Sequence, residues 1–175
     1  RSLRDWSSDV CSSDLEGEVY KNDAYLDAYE IGETDGNTTV TFTFTDKAHF
    51  NDGTDMDWTA IDATWKANRS YDEGFNPNAI DGYKQIASVE QGDTAKTAVV
   101  TFDGVYAWPS MAFLTGGVLN PKHADAETFN NAYIGEPNSD WGAWPYVVDE
   151  FDANGGYISF TPNPGSVRCS DAVAV

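Results

Sequence analysis

The sequence predicts an α/β fold built around an α+β mixed sheet, and three observations support this. Strand-like segments and one clear amphipathic helix follow each other along the chain. Turn signals rich in Gly, Asn and Asp separate them. Hydrophobic residues make up 41% of the 175 residues and aromatic residues 14%, enough for one domain with a sizeable core.

The first strands are predicted by an alternating segment. Within residues 38–44, TTVTFTF, threonine and an apolar residue alternate strictly from Thr39 onward, which is typical of a strand with one buried face. Asp35 and Gly36 directly before it predict a hairpin turn. An earlier strand is therefore expected near residues 25–31.

One helix is predicted with a defined start. Asp57 can cap a helix that runs over residues 58–69. Trp58, Ile61 and Trp65 recur at helical spacing, so this face is expected to pack against the core.

The remaining elements follow from shorter patterns. A loop rich in Gly, Asn and Pro is expected over residues 71–82. The later predictions are strands at 84–89 and 97–102, short helices at 108–114 and 125–132, and a terminal hairpin of strands 146–151 and 157–161.

The charge of the chain excludes one class of partner. Twenty-nine acidic and ten basic side chains give a formal net charge of −19. Such a surface repels phosphate backbones, so we expect no nucleic-acid partner. No apolar run approaches the roughly 18 residues that a membrane-spanning helix needs.

The titratable residues form no recognisable catalytic or metal-binding pattern. His49 and His123 lie far apart in sequence without a zinc-ligand motif, and residues 51–57, NDGTDMD, lack the residue order of a calcium loop. We therefore expect no catalytic residue, no metal, no cofactor and no enzymatic activity. The many acids and tryptophans leave an alternative open, a secreted carbohydrate-binding module or a fragment of a glycan-active enzyme.

Four aromatic residues are the candidate ligand-binding residues. Trp141, Trp144 and Tyr146 belong to SDWGAWPY, a loop in which large rings could stay partly open to a ligand. Trp108 is the fourth. Packing into the core is the competing interpretation for Trp141 and Trp144.

Both ends of the chain are set apart from the body. Residues 5–15, DWSSDVCSSDL, resemble the in-frame translation of a common DNA-sequencing adapter, so residues 1–15 are treated as artefactual. Residues 165–175 form a doubtful tail. Because Cys11 and Cys169 both lie in these ends, their even number does not predict a disulfide.

Four segments of the body, residues 16–164, are informative when taken together. Residues 40–65 combine a predicted strand, the motif F-x-D-G-T and a predicted helix. KTAVVTF, the proline–lysine–histidine at 121–123 and WGAWPYVVDEF come afterwards. In this order the segments resemble those of the family 5 solute-binding proteins of peptide and nickel ABC importers. The motif residues, together with the helix cap, are expected to have a structural role: Phe50, Asp52, Gly53, Thr54 and Asp57.

This resemblance implies a fold and a function. Residues 16–164 would form part of the first lobe of a type II periplasmic-binding-protein-like fold. The complete protein would capture oligopeptides or similar solutes outside the membrane, lipid-anchored in the periplasm or at the cell surface, and deliver them to the permease subunits of an ABC importer. The sequence departs from the family's pattern in the segment SDWGAWPY. Trp144 stands there where the family's G-x-G-P-Y segment tends to have its second glycine.

Overall fold

The structure is a computed structural model that describes residues 11–13, 19–114, 117–131 and 137–167. Short 3-10 turns at Tyr83–Gln85, Pro121–His123 and Ser139–Trp141 connect some of the elements. In chain order the strands and helices are β1 (Cys11–Ser13), β2 (Val19–Lys21), β3 (Leu26–Thr34), β4 (Asn37–Phe44), α1 (Trp58–Asn68), β5 (Ile86–Gln91), β6 (Thr97–Phe102), α2 (Met111–Leu114), α3 (Ala126–Asn131), β7 (Tyr146–Asp152) and β8 (Tyr157–Pro162).

The central sheet has four strands in the order β3-β4-β6-β5. Every pair in it is antiparallel. Asp35 and Gly36 both have positive φ, 52° and 80°, which is the backbone of the tight turn that joins twisted strands. The predicted α/β class and this hairpin are confirmed, and β3 extends three residues beyond the predicted end.

The core lies on one face of this sheet. Val40, Phe42 and Phe44 of β4 are fully buried, as their alternation with threonine predicts. Ala98, Val100 and Phe102 of β6 continue the same buried face in register with β4. Helix α1 covers the sheet with four buried residues, Ala60, Ile61, Thr64 and Ala67.

Helix α1 begins where the sequence predicts. The Asp57 carboxylate accepts hydrogen bonds from the amide and hydroxyl groups of Thr59 and so caps the first turn. Trp58 and Trp65 are partly buried and pack against the core, and the Trp65 indole donates to the carbonyl of Tyr83 at 3.2 Å.

Three predicted boundaries move for local reasons. The strand predicted from residue 84 begins at Ile86 because the 3-10 turn takes the preceding residues. Helix α2 begins only at Met111, since Pro109 disfavours helical backbone at Trp108. Asp125 precedes α3 and accepts a hydrogen bond from the Thr128 amide at 2.9 Å, so it caps that helix. Among the described residues, no helix is long and apolar enough to cross a bilayer.

The described residues reach into both segments that the sequence sets apart from the body. Cys11–Ser13, within the segment treated as artefactual, form β1 and pair with β2. The rest of that segment lies outside the described residues. At the other end, Ser166 is buried and Val167 packs against the core, so the doubtful tail begins with residues that belong to the fold. Residues 168–175 also lie outside the description.

The helix cap supports a stability prediction. Replacing Asp57 with Ala removes the acceptor for the first-turn amides, and we expect a loss of about 1 kcal/mol in the free energy of unfolding. Urea denaturation followed by circular dichroism measures it. The matched control is Asp46→Ala, an exposed acid in a loop, which should change stability by less than about 0.5 kcal/mol. Equal losses in both variants would show that the cap contributes nothing specific.

Candidate ligand-binding loop and its support

The F-x-D-G-T motif forms a closed turn. The Asp52 carboxylate accepts hydrogen bonds from the amide and the hydroxyl of Thr54, both at 2.8 Å. The amide of Phe50 donates to the Thr54 carbonyl at 2.8 Å, and Gly53 has a φ of +79°, which favours glycine. Phe50 itself is completely buried. These contacts give the motif residues a structural part in the turn.

Asp52 links this turn to the proline–lysine–histidine segment. Its carboxylate lies 3.5 Å from Lys122 Nζ and 3.9 Å from His123 Nε2. The His123 ring in turn lies 5.5 Å from the Trp141 ring, measured between centroids. The turn, residues 121–123 and the tryptophan loop therefore form one continuous set of contacts.

The electrostatics of Asp52 follow from these neighbours. Burial alone would raise the pKa of the carboxyl group. Hydrogen bonds from Thr54, with help from the Asn120 side chain and the Lys122 charge, outweigh burial and hold the pKa below its ordinary value of 3.8. The Asn120 amide nitrogen is buried but makes no direct hydrogen bond of good geometry within the described part of the chain. Asp52 is therefore an anion at neutral pH.

Asn51 joins the turn to the tryptophan loop, which we define as residues 139–146. Its amide donates to the Gly142 carbonyl at 2.8 Å, and its side-chain nitrogen donates to the Ser139 carbonyl at 2.7 Å. Its side-chain oxygen accepts a hydrogen bond from Asn163 at 2.8 Å. One asparagine thus uses its backbone donor and both ends of its side chain to fix this corner of the molecule.

Asn163 and Tyr25 complete the support of the tryptophan loop. The Asn163 side chain donates to the Trp144 carbonyl at 3.1 Å, and the Asn163 backbone amide donates to the Pro145 carbonyl at 2.8 Å. The buried Tyr25 hydroxyl donates to the Ala143 carbonyl at 2.5 Å. Five loop carbonyls consequently accept hydrogen bonds from the protein body: Ser139, Gly142, Ala143, Trp144 and Pro145.

The loop's aromatic rings lie at the boundary between core and solvent. Trp141 and Trp144 are half-buried, whereas Tyr146 is more exposed. The Trp144 ring lies over Gly142, and a Cβ atom at that glycine would approach the ring to 2.9 Å. Among the described residues, neither tryptophan is one of those that form the hydrophobic core or pack against it, whereas Ala143 between them is a core residue. Core packing therefore accounts for Ala143 of this loop, and the assignment of the two tryptophans as ligand contacts stays a prediction.

Trp108 is not brought together with the other three candidates. Its loop is anchored at the start of β4, where Gly104 and Tyr106 exchange hydrogen bonds with Thr38 at 2.9 Å. The tryptophan loop is anchored near the end of β4, because Tyr25 also pairs with Thr45. These anchors are separated by about 23 Å along the strand at ~3.3 Å per residue. Trp108 is 73% exposed and makes no hydrogen bond or ring contact within the described residues.

Sequence reasoning missed Asn51, Asn163 and Tyr25 as supports of the site. Asn51 appears in the sequence as part of a turn signal, and Asn163 lies between two prolines near the doubtful tail. Nothing in the spacing of Asn51 and Asn163 indicates that their side chains meet across 112 positions. Within the described ranges, no group of three or more His, Cys, Asp or Glu side chains is placed to hold a metal ion.

Comparison with known proteins gives the chain relatives. No protein-family model matches it. The oligopeptide-binding protein OppA of Mycobacterium tuberculosis is 34% identical over 128 residues, which cover 71% of this chain and 21% of OppA. The structure of EppA, a periplasmic EDTA-binding protein, superimposes with a TM-score of 0.77 at 26% identity, over 94% of this chain and 31% of EppA.

A second structure shows the same fold. A periplasmic oligopeptide-binding protein from Thermotoga maritima, with bound mannohexaose, matches with a TM-score of 0.71 at 15% identity. The match covers 95% of this chain and 29% of that protein. The fold is therefore part of a lobe of a periplasmic-binding-protein-like structure, as the resemblance implied.

The fold and these matches define the class as extracytoplasmic-type solute-binding proteins. Within that class, the chain belongs to the family 5 solute-binding proteins of peptide and nickel ABC importers, the family of OppA. It spans about a fifth of the length of OppA.

The pKa of Asp52 leads to a prediction about pH. Because its folded-state pKa is lowered, the ionised carboxylate stabilises the fold above the unfolded-state pKa, and this contribution is lost as pH falls through the lower folded value. We expect Asp52→Asn to be less stable than the wild type from pH 5 to 8, and the difference to shrink below about pH 3.8. Urea denaturation midpoints across this range measure it.

The control for this experiment is Asp72→Asn, which changes an exposed loop carboxylate. Its stability should follow the wild type at every pH. A difference for Asp52→Asn that stays constant down to pH 2.5 would contradict the electrostatic role of the carboxylate.

Proposed function

We propose that this chain is part of a binding protein that captures oligopeptides outside the cytoplasmic membrane and delivers them to the permease of an ABC importer. The 34% identity to a protein named for oligopeptide binding supports the ligand class. The periplasmic relative EppA supports the location. The proposal includes a lipid anchor in the full-length protein, and it assigns the chain no catalytic step.

The observation that carries this proposal is the fixed backbone of the tryptophan loop. Its carbonyl groups are held by Asn51, Asn163 and Tyr25, so the loop cannot rearrange without breaking one buried and two partly buried hydrogen bonds. A rigid loop presents Trp141, Trp144 and Tyr146 with little entropy left to lose on binding. Pre-ordered aromatic faces of this kind suit a contact surface for a ligand.

The chemistry of these rings fits ligands with varied side chains. An indole or phenol ring offers a broad apolar face and one polar edge, so it accepts many side chains without requiring a particular hydrogen bond. Peptides supply a constant backbone for hydrogen bonding, and water can fill the space around small side chains. In this proposal the tryptophan loop faces the cleft between the two lobes of the complete protein. Trp108 remains a predicted ligand contact that the structure does not join to this loop.

Trp144 provides the direct test. In the complete protein, Trp144→Ala should weaken the binding of short peptides by about 1–3 kcal/mol, because a half-buried aromatic contact is removed. This corresponds to roughly a 5- to 150-fold increase in Kd. Isothermal titration calorimetry with a mixed pool of tri- to pentapeptides measures it. The isolated 175-residue chain should bind the same pool weakly, because it spans only a fifth of its relative.

The matched control is Tyr71→Ala, which removes an exposed aromatic ring outside the tryptophan loop. Peptide affinity should stay unchanged in this variant. Tight peptide binding by the isolated chain, or an unchanged Kd in Trp144→Ala, would contradict the proposed site. Binding of oligosaccharides but not of peptides would favour the carbohydrate-binding alternative.

A further inference from the structure

The turn between β7 and β8 contains Asn154, the one asparagine of the sequence that is followed by glycine. Asparagine is a thermolabile residue, because the backbone nitrogen of the next residue can attack its side-chain amide. Glycine favours this attack, since it has no side chain to obstruct the approach and leaves the backbone free to rotate. Asn154, Gly155 and Gly156 are all exposed, so water reaches this turn.

The reaction converts the amide of Asn154 into an acid. The backbone nitrogen of Gly155 forms a bond to the side-chain carbonyl carbon of Asn154, and the proton of that nitrogen leaves with the amide group as ammonia. Water then opens the resulting cyclic imide at either of its two carbonyl carbons. One opening gives aspartate, and the other gives isoaspartate, in which the backbone runs through the former side chain. Water is the only co-reactant.

The side chain of Asp152 contacts the attacking nitrogen. Its Oδ1 atom accepts hydrogen bonds from the Gly155 amide at 2.8 Å and from the Asn154 amide at 2.9 Å. Its Oδ2 atom lies 2.6 Å from the position that a Cβ atom at Gly155 would take. The carboxylate therefore fills the space beside Gly155 and holds the N–H group that the reaction has to release.

This arrangement slows the reaction for two reasons. The Gly155 N–H group must give up a charge-assisted hydrogen bond before its nitrogen can turn toward the Asn154 side chain. The nitrogen also reacts after it has lost its proton, and a negative carboxylate beside it disfavours that negative form. Both effects come from the same side chain, so one substitution removes them together.

We propose that Asn154 is a site of spontaneous deamidation and that Asp152 is the residue that restrains it. The product adds a negative charge at residue 154, next to the Asp152 carboxylate. The isoaspartate form also lengthens the backbone of a turn that is closed by the Gly156 amide, which donates to the Asp152 carbonyl at 2.8 Å. Deamidation therefore loosens the hairpin into which the tryptophan loop leads.

Peptide mapping by mass spectrometry tests the proposal. The 175-residue chain is incubated at mildly alkaline pH, and the aspartate and isoaspartate forms of residue 154 are separated and counted. In the folded chain, Asp152→Ala should deamidate at Asn154 roughly fivefold faster than the wild type, the factor to which about 1 kcal/mol of hydrogen bonding corresponds. In concentrated urea, where the turn is lost, the two rates should agree within about twofold.

Two further variants serve as controls. Asp149→Ala removes an exposed acid of the same strand, and its rate should stay within about twofold of the wild-type rate. Asp152→Ser keeps a hydroxyl that can accept hydrogen bonds from the amides of such a turn but carries no charge. Its rate should lie between those of the wild type and Asp152→Ala. Hydrogen exchange of the β7 and β8 amides shows whether each variant keeps the hairpin.

Two results would overturn the proposal. The first is a folded wild-type chain that deamidates at Asn154 as fast as the chain in urea. The second is a folded variant with the hairpin intact, Asp152→Ala or Asp152→Ser, whose rate is no higher than that of the wild type. If the alanine variant loses the hairpin, the serine variant alone decides. No measurement uses a ligand, so the result is independent of the peptide proposal.

Discussion

The hydrogen bonds of Asn51 are the interaction on which this corner of the molecule depends. An asparagine offers a backbone donor, a side-chain donor and a side-chain acceptor, and Asn51 uses all three on groups far away in sequence. Its backbone position is set by the closed turn around Asp52 and Gly53. The tryptophan loop therefore takes its position from a turn that follows β4. Removing the Asn51 side chain would take away the donor to the Ser139 carbonyl and the acceptor for the Asn163 side-chain amide. The loss of such partners is costly in a protein interior.

The orientation of the loop backbone explains why its aromatic rings lie where they do. Because the carbonyls of residues 142–145 are bonded to the protein body, the side chains of this segment must occupy the remaining directions. Ala143, the smallest side chain, is buried, and the two tryptophans lie at the surface boundary.

Periodicity predicted the elements of this fold well, but it could not predict the supports of the site. The alternation in β4 reports burial directly, since each apolar residue in it faces the core. The start of α1 was also predictable, because a cap acts on amides only two or three residues away. The contact between Asn51 and Asn163 joins two loops, and loops carry no period. The separation between Trp108 and the tryptophan loop could not be predicted for the same reason. Both lie in loops, and only the sheet between the two loops fixes how far apart they are.

Gly142 and Trp144 show how a departure from a family pattern can be accommodated. Gly142 has a φ of −100°, which any residue can adopt, so backbone conformation does not require glycine there. The requirement is steric, because the Trp144 ring occupies the space that a Cβ atom at Gly142 would need. Trp144 occupies the position of the pattern's second glycine. It fits there because the first glycine, Gly142, is present. In this chain Gly142 makes room at Trp144 for an aromatic surface that a second glycine could not provide.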